Sequence, residues 1–239
     1  MKLDERLEAM RRRVREGEQR RWRQAAPPDV LAECEAEGLS WPRRAARLTR
    51  RQCEAERPVI LPDERIVFTR TLPAVPPVYS AEDWAALTEG RTLHESGPIS
   101  NICADWGMAL SQGLLGRRRA AEEARERLAN DPEAVEALET AMETIDAVLG
   151  LAARYAQEAR AQGREEIAAI LERVPAHRPR TFHEALQALR LLQAVVWLSG
   201  HYHVGLGRFD QYMWPYLEAD LAAGRETIES AEALLAEFF

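Results

Sequence analysis

With 239 residues, 46% of them hydrophobic and 30% charged, the chain has an ordinary globular composition and room for one large domain or two small ones. Its net charge of -7 argues against a general nucleic-acid binder, which would present a basic face, and no apolar run reaches the ~18 residues that a membrane span needs. Three cysteines, Cys34, Cys53 and Cys103, are widely spaced and form no CxxC pair, which argues against a disulfide framework or a zinc knuckle and for reduced thiols in the cytoplasm.

The first 23 residues are charged throughout, without the apolar core of a secretory signal, and read as a solvated helix over 3–24 closed by Pro27-Pro28. Asp29 is a cap for a short helix through Glu37, and Trp41 to Arg57 is a second helical patch. Five prolines between Pro58 and Pro77 forbid a continuous helix, and the β-branched run Arg65–Thr69 among them predicts a strand. Ser80 opens a helix with Asp83 three residues on. Helical periodicity resumes from Asp105 to Leu128. Asp131-Pro132 then caps a long helix towards Gln162 in which Gly150 is a candidate kink, and a further short helix covers Arg164–Val174. Thr181-Phe182-His183-Glu184 reads as a capping box, before a helix whose second half is apolar nearly all round and expected to be deeply buried. Gly200 ends it, a short extended run over 203–206 follows, then a helix over Phe209–Ala222 closed by Gly224, and Thr227 caps a last one. That last helix meets neither a glycine nor a basic residue, so Phe238 and Phe239 are expected to be uncovered, as at a truncation.

Four segments carry a resemblance, taken together. They are Arg57-Pro58-Val59-Ile60 to Val67; Ala104-Asp105-Trp106 with Leu110 and Gly113-Leu114-Leu115-Gly116; Pro179-Arg180-Thr181-Phe182-His183-Glu184-Ala185-Leu186-Gln187; and Gly207-Arg208-Phe209-Asp210-Gln211 with Pro215-Tyr216, Asp220-Leu221 and Gly224. In this order they resemble the glycyl radical enzymes, the pyruvate formate-lyase family, over about residues 57–239. The resemblance implies a mainly α fold: the helical N-terminal portion of a larger ten-stranded α/β barrel, with one or two short strands. It divides the chain into charged N-terminal helices over 1–56 and a partial barrel domain over 57–239.

In that family a glycyl radical, installed by an S-adenosylmethionine iron–sulfur activating enzyme, generates a cysteine thiyl that takes a hydrogen atom from substrate inside a dry cavity. No glycine here stands in the family's R-V-x-G-[YF] context and no cysteine matches its radical cysteine, so the resemblance implies no catalytic residue, no cofactor and no metal held by this chain; Cys103 reads as a core thiol. The expected partners are the remaining C-terminal part of the enzyme or a split partner, the activating enzyme and further copies of the full enzyme, in an anaerobic cytoplasm, with no nucleic acid and no membrane.

Substrate-facing positions implied by the match are Asn101, Asp105, His201 and His203. Asn101 replaces the histidine or arginine that family members carry and lacks an arginine's charge and fork. Arg208, Asp210 and Gln211 form a structural motif, with Arg208–Asp210 either a junction ion pair or a substrate contact. Asp105 is equally readable as a helix cap, and His201 and His203 on an extended segment share one face, as a metal pair would. His94, His177 and His183 read as surface or capping residues, and Trp197 and Trp214 as core. The function that the resemblance implies is an N-terminal fragment of a glycyl radical lyase, dehydratase or formate acetyltransferase-like enzyme, inactive alone; a non-catalytic helical binding or adaptor domain is the alternative, and a small metalloprotein a third.

Overall fold

The computed structural model describes residues 4–90 and 102–239, so Asn101 and His94 lie outside the described residues. Among these the fold is helical, with two very short strands. In chain order the elements are α1 (Glu5–Arg15), α2 (Leu31–Ala36), α3 (Trp41–Ala55), α4 (Ala81–Glu89), β1 (Ile102–Cys103), α5 (Trp106–Arg127), α6 (Pro132–Ala161), α7 (Glu165–Arg173), α8 (Phe182–Leu198), β2 (Val204–Gly205), α9 (Phe209–Ala222) and α10 (Ile228–Phe238).

Local chemistry places most helix starts where the sequence puts them. Asp105, Asp131, Thr181 and Thr227 each accept the amide three residues on, and Ser80 and Asp83 complete a reciprocal box. Other expectations need correction. The first helix stops at Arg15, because Gly17 takes a left-handed conformation and a short 3-10 turn follows over Glu18–Trp22. Glu184 does not close its box on Thr181; its carboxylate accepts the Arg180 amide at 2.6 Å. The last helix is better covered than expected: Phe238 is buried against Phe209, while Phe239 is 79% exposed. Trp214, expected in the core, is half exposed.

α6 is the axis of one half of the molecule. α3 runs beside it in the same direction, joined by Arg43 to Glu136 and Glu139, Arg50 to Glu143, and Arg154 to the Cys53 carbonyl. α5 runs against it, joined by Arg118 to Asp146 and Arg125 to Glu139. Between them opens a cleft of about 630 Å³ whose floor includes Met142, Ala147 and Gly150. The helix passes through Gly150 without a break, and a methyl group there would meet nothing within 4 Å. Gly150→Ala is therefore expected to stabilise the chain by about 0.5–1 kcal/mol, read as a higher urea midpoint with an unchanged slope.

α8 is the shared wall of two apolar clusters. Leu191, Ala194, Val195 and Leu198 join α6 and α7 on one side. Phe182, Ala185, Leu186 and Leu189 join α9 and α10 on the other. Contrary to the periodicity argument, its first half is the fully buried one; residues 192, 193, 196 and 197 are only half-buried. Two buried polar residues of that first half, His183 and Gln187, bind a neighbouring chain segment.

That segment is 61–72, where a strand was expected and none forms. It turns at residues 62–63, bends at 65–66, and pairs its backbone with side chains instead of a ladder. Gln187 accepts from the Val67 amide at 2.8 Å and donates to the Val67 carbonyl at 2.9 Å. His183, buried rather than at the surface, bonds the Arg65 carbonyl at 2.8 Å. Arg190 donates to the Phe68 carbonyl, Glu237 accepts the Ile66 amide, and Glu56 accepts those of Thr71 and Leu72. Buried backbone groups must find partners, and here α3, α8 and α10 supply them.

A third departure lies inside α5. At Gly113 the backbone turns to φ 67, ψ 162, a region open essentially only to glycine. The kink frees the Leu114 and Leu115 amides, which donate to the carbonyls of Pro175 and Ala176 at 2.9 and 3.0 Å.

A candidate substrate wall at the strand pair

The two segments that the resemblance assigned to a cavity meet in space. β1 and β2 pair in parallel, Ile102 opposite Val204 and Cys103 opposite Gly205. The run before Asp105 and the run before Gly207 thus become neighbours, although about a hundred residues separate them in the chain.

Two side chains fix this junction. Trp106 Nε1, at the start of α5, donates to the Gly205 carbonyl at 2.9 Å. The Tyr212 hydroxyl, from the first turn of α9, donates to the Leu206 carbonyl at 2.8 Å. Burial pushes that phenol upward, and Cys103 adds to the shift. Neither is a site residue on the sequence alone, although Trp106 belongs to the second resembling segment and Tyr212 directly follows Gln211 of the fourth. Cys103 is exposed, not a core thiol, and its Sγ stands 2.9 Å from where a side chain on Gly207 would begin.

Around the pair, Asp105 accepts the Met108 amide at 2.8 Å and so serves as the cap of α5. His201 is half-buried and His203 exposed, on the segment leading into β2. Between them Tyr202 lies under the Arg70 guanidinium, 5.8 Å from the ring centre. Arg208 and Asp210 form a two-pronged ion pair at 2.7 and 3.0 Å, which favours the charged form of each. The pair is about two-thirds exposed on both sides and brackets the first residue of α9, so it steadies the turn between β2 and that helix. Gln211 follows in the first turn, with its amide on the Arg208 carbonyl. These are groups suited to binding and orienting a polar molecule.

The other two thiols are remote from such chemistry. Cys34 and Cys53 are both buried, burial raises both, and Cys53 is pushed up to about 12. No group of three or more His, Cys, Asp or Glu gathers as a metal site among the described residues, and no described helix is long and apolar enough to cross a membrane.

Comparison with known proteins agrees with this architecture. Residues 74–239 match the model of the pyruvate formate lyase-like family. Isethionate sulfite-lyase of Nitratidesulfovibrio vulgaris is 42% identical over 88 residues, covering 36% of this chain and 10% of that protein. Trans-4-hydroxy-L-proline dehydratase of Clostridioides difficile is 27% identical over 185 residues, covering 64% and 22%. Among solved structures, the B12-independent glycerol dehydratase of Clostridium butyricum superposes with a TM-score of 0.73 at 18% identity, over 100% of this chain and 39% of that one. A glycyl radical enzyme from Archaeoglobus fulgidus gives 0.70 at 19%, over 93% and 39%. The chain therefore spans less than a quarter of these two curated relatives and about two-fifths of these solved chains. This chain, helical with one short parallel strand pair and matched by the family model over most of its length, belongs to the pyruvate formate lyase-like family.

Proposed function

We propose that residues 1–239 supply the N-terminal helical layer, and one wall of the substrate cavity, of a glycyl radical dehydratase or lyase. The observation that carries this reading is the parallel pairing of β1 with β2, which sets the two implied cavity segments side by side. On this reading Asn101, Asp105, His201 and His203 face substrate, while Arg208, Asp210 and Gln211 hold the wall in shape. On the same reading residues 57–239 are the partial barrel domain and residues 1–56 its charged N-terminal helices. None of the three cysteines stands at a position that matches the family's radical cysteine. The radical glycine and thiyl cysteine would come from the rest of the enzyme, activated by an S-adenosylmethionine iron–sulfur enzyme, in an oligomer in an anaerobic cytoplasm.

The test is the gene. Sequence in frame beyond the Phe239 codon, or in an adjacent gene, should encode the cysteine and glycine loops. With the assembled enzyme, His203→Ala should lower kcat/KM at least tenfold while leaving the glycyl radical signal intact. A stop codon with no neighbouring barrel gene would overturn the proposal.

One observation favours the alternative of a non-catalytic helical binding domain: Phe238 is buried. A monomeric chain with a cooperative melt would support that alternative. Self-association through Ile102, Tyr202, Trp214 and Phe239, all exposed, would count against it.

A further inference from the structure

Among the described residues the ladder between β1 and β2 is two residues long, and the chain leaves β2 through Leu206-Gly207. So short and glycine-rich a pair specifies its register weakly, and a slip of one residue turns every side chain of the strand to the opposite face. Three contacts from outside the ladder remove that freedom. Trp106, 3% exposed, donates from its indole to the Gly205 carbonyl at 2.9 Å. The Tyr212 hydroxyl donates to the next carbonyl, that of Leu206, at 2.8 Å. Both donors stand at the starts of helices that touch, since a Cβ on Gly107 would lie 3.4 Å from the Tyr212 Cβ. Their positions are thus set by α5 and α9 rather than by the strands.

The third contact is steric. Cys103 Sγ, bonded to the Ala104 carbonyl at 3.7 Å, stands 2.9 Å from where a Cβ on Gly207 would begin. Shifting the 204–208 run by one residue would bring either Leu206 or Arg208 to the place of Gly207. Each carries the Cβ for which the sulfur leaves no room.

We propose that Cys103, Trp106 and Tyr212 are positioning residues: they hold β2 in one register against β1 and so set which side chains of the 201–203 run meet substrate. The indole and the phenol select the carbonyls, and the thiol rejects the neighbouring registers. His203 directly precedes β2, so a slip would carry it off its face. The effect on substrate rests on the substrate-wall reading above; the register itself does not.

A double-variant cycle in the 239-residue chain tests the lock, read as hydrogen exchange over residues 202–207. Gly207→Ala should speed exchange at least tenfold. Adding Cys103→Ala should recover at least fivefold of that, because among the described residues no other atom lies within 4 Å of the new methyl. The strain of an alanine at φ 60 is the same in both backgrounds and cancels in the cycle. Trp106→Phe and Tyr212→Phe should each speed exchange about threefold to tenfold, the worth of one hydrogen bond. In the assembled enzyme Tyr212→Phe should raise KM at least fivefold, with a smaller effect on kcat and the glycyl radical signal retained. Equal acceleration by Gly207→Ala with and without the thiol would overturn the lock, whatever His203→Ala does to turnover. A coupled cycle with KM unmoved in Tyr212→Phe would overturn the positioning role; if His203→Ala were silent too, the substrate wall would fall with it.

Discussion

Gly113→Ala is expected to be among the most damaging single-methyl additions in this chain. A Cβ on Gly113 would stand 2.6 Å from the Ala176 carbonyl oxygen and 2.7 Å from the His177 Cα. Those are backbone atoms, which cannot rotate aside. The backbone at φ 67, ψ 162 adds a conformational cost of about 1–3 kcal/mol for any L side chain. Relief means straightening α5, which would withdraw the Leu114 and Leu115 amides from Pro175 and Ala176. Together these put the loss at about 3 kcal/mol or more, a fall in Tm of roughly 10 °C for a chain of this size. Thermal melts beside Gly150→Ala make the comparison internal: the same atom is added to the same residue type, with opposite signs. A Tm for Gly113→Ala within a degree or two of the natural chain would show that the kink is not required.

Asp220→Ala is the second large effect. Asp220 is 1% exposed, and its two oxygens do different work: Oδ2 takes the Phe182 amide at 2.7 Å and Oδ1 the Arg225 guanidinium at 2.7 Å. Removing it leaves the first amide of α8 buried without an acceptor and Arg225 without its carboxylate. Deleting one partner of a buried pair typically costs about 3–5 kcal/mol; Arg225 is half exposed, so the lower end applies. Asp220→Asn should recover part of the loss, since its carbonyl can still accept from Phe182. Asp210→Ala is the contrast. Its partner pair is open to water on both sides, and the melt should scarcely move. A denaturant midpoint for Asp220→Ala equal to that of Asp210→Ala would refute this assignment.

These two residues explain why the four resembling segments were legible. Gly113 lets the second segment clasp the chain before α8. Gln187 ties the third to the first through Val67, and Asp220 ties the fourth to the third through Phe182. The residues that carry the resemblance thus include joints of the scaffold. Helix starts were legible for a simpler reason: a cap such as Thr181 or Asp131 acts on an amide three residues away, so its evidence is local. The missing strand at 65–69 was not legible. β-branched residues report an extended backbone, not what pairs with it, and the acceptors here lie 120 and 171 residues further on. The kink in α5 was hidden likewise, since its hydrogen-bond partners lie some sixty residues away. At the candidate wall, motifs located each half separately. That the halves touch, and that Trp106 and Tyr212 pin them, depends on a long-range register with no local signal.

The union of β1 and β2 also has a history in time. To bring Ile102 beside Val204 the polypeptide must close a loop of about a hundred residues, and the local gain at closure is a pair of two-residue strands and the Trp106–Gly205 hydrogen bond. Such a loop carries an entropic penalty that so small a contact cannot offset in an unstructured chain. The intervening helices must assemble first and deliver the two ends together. The wall is thus among the last parts of the molecule to form and the first to be lost when the helices beneath it loosen.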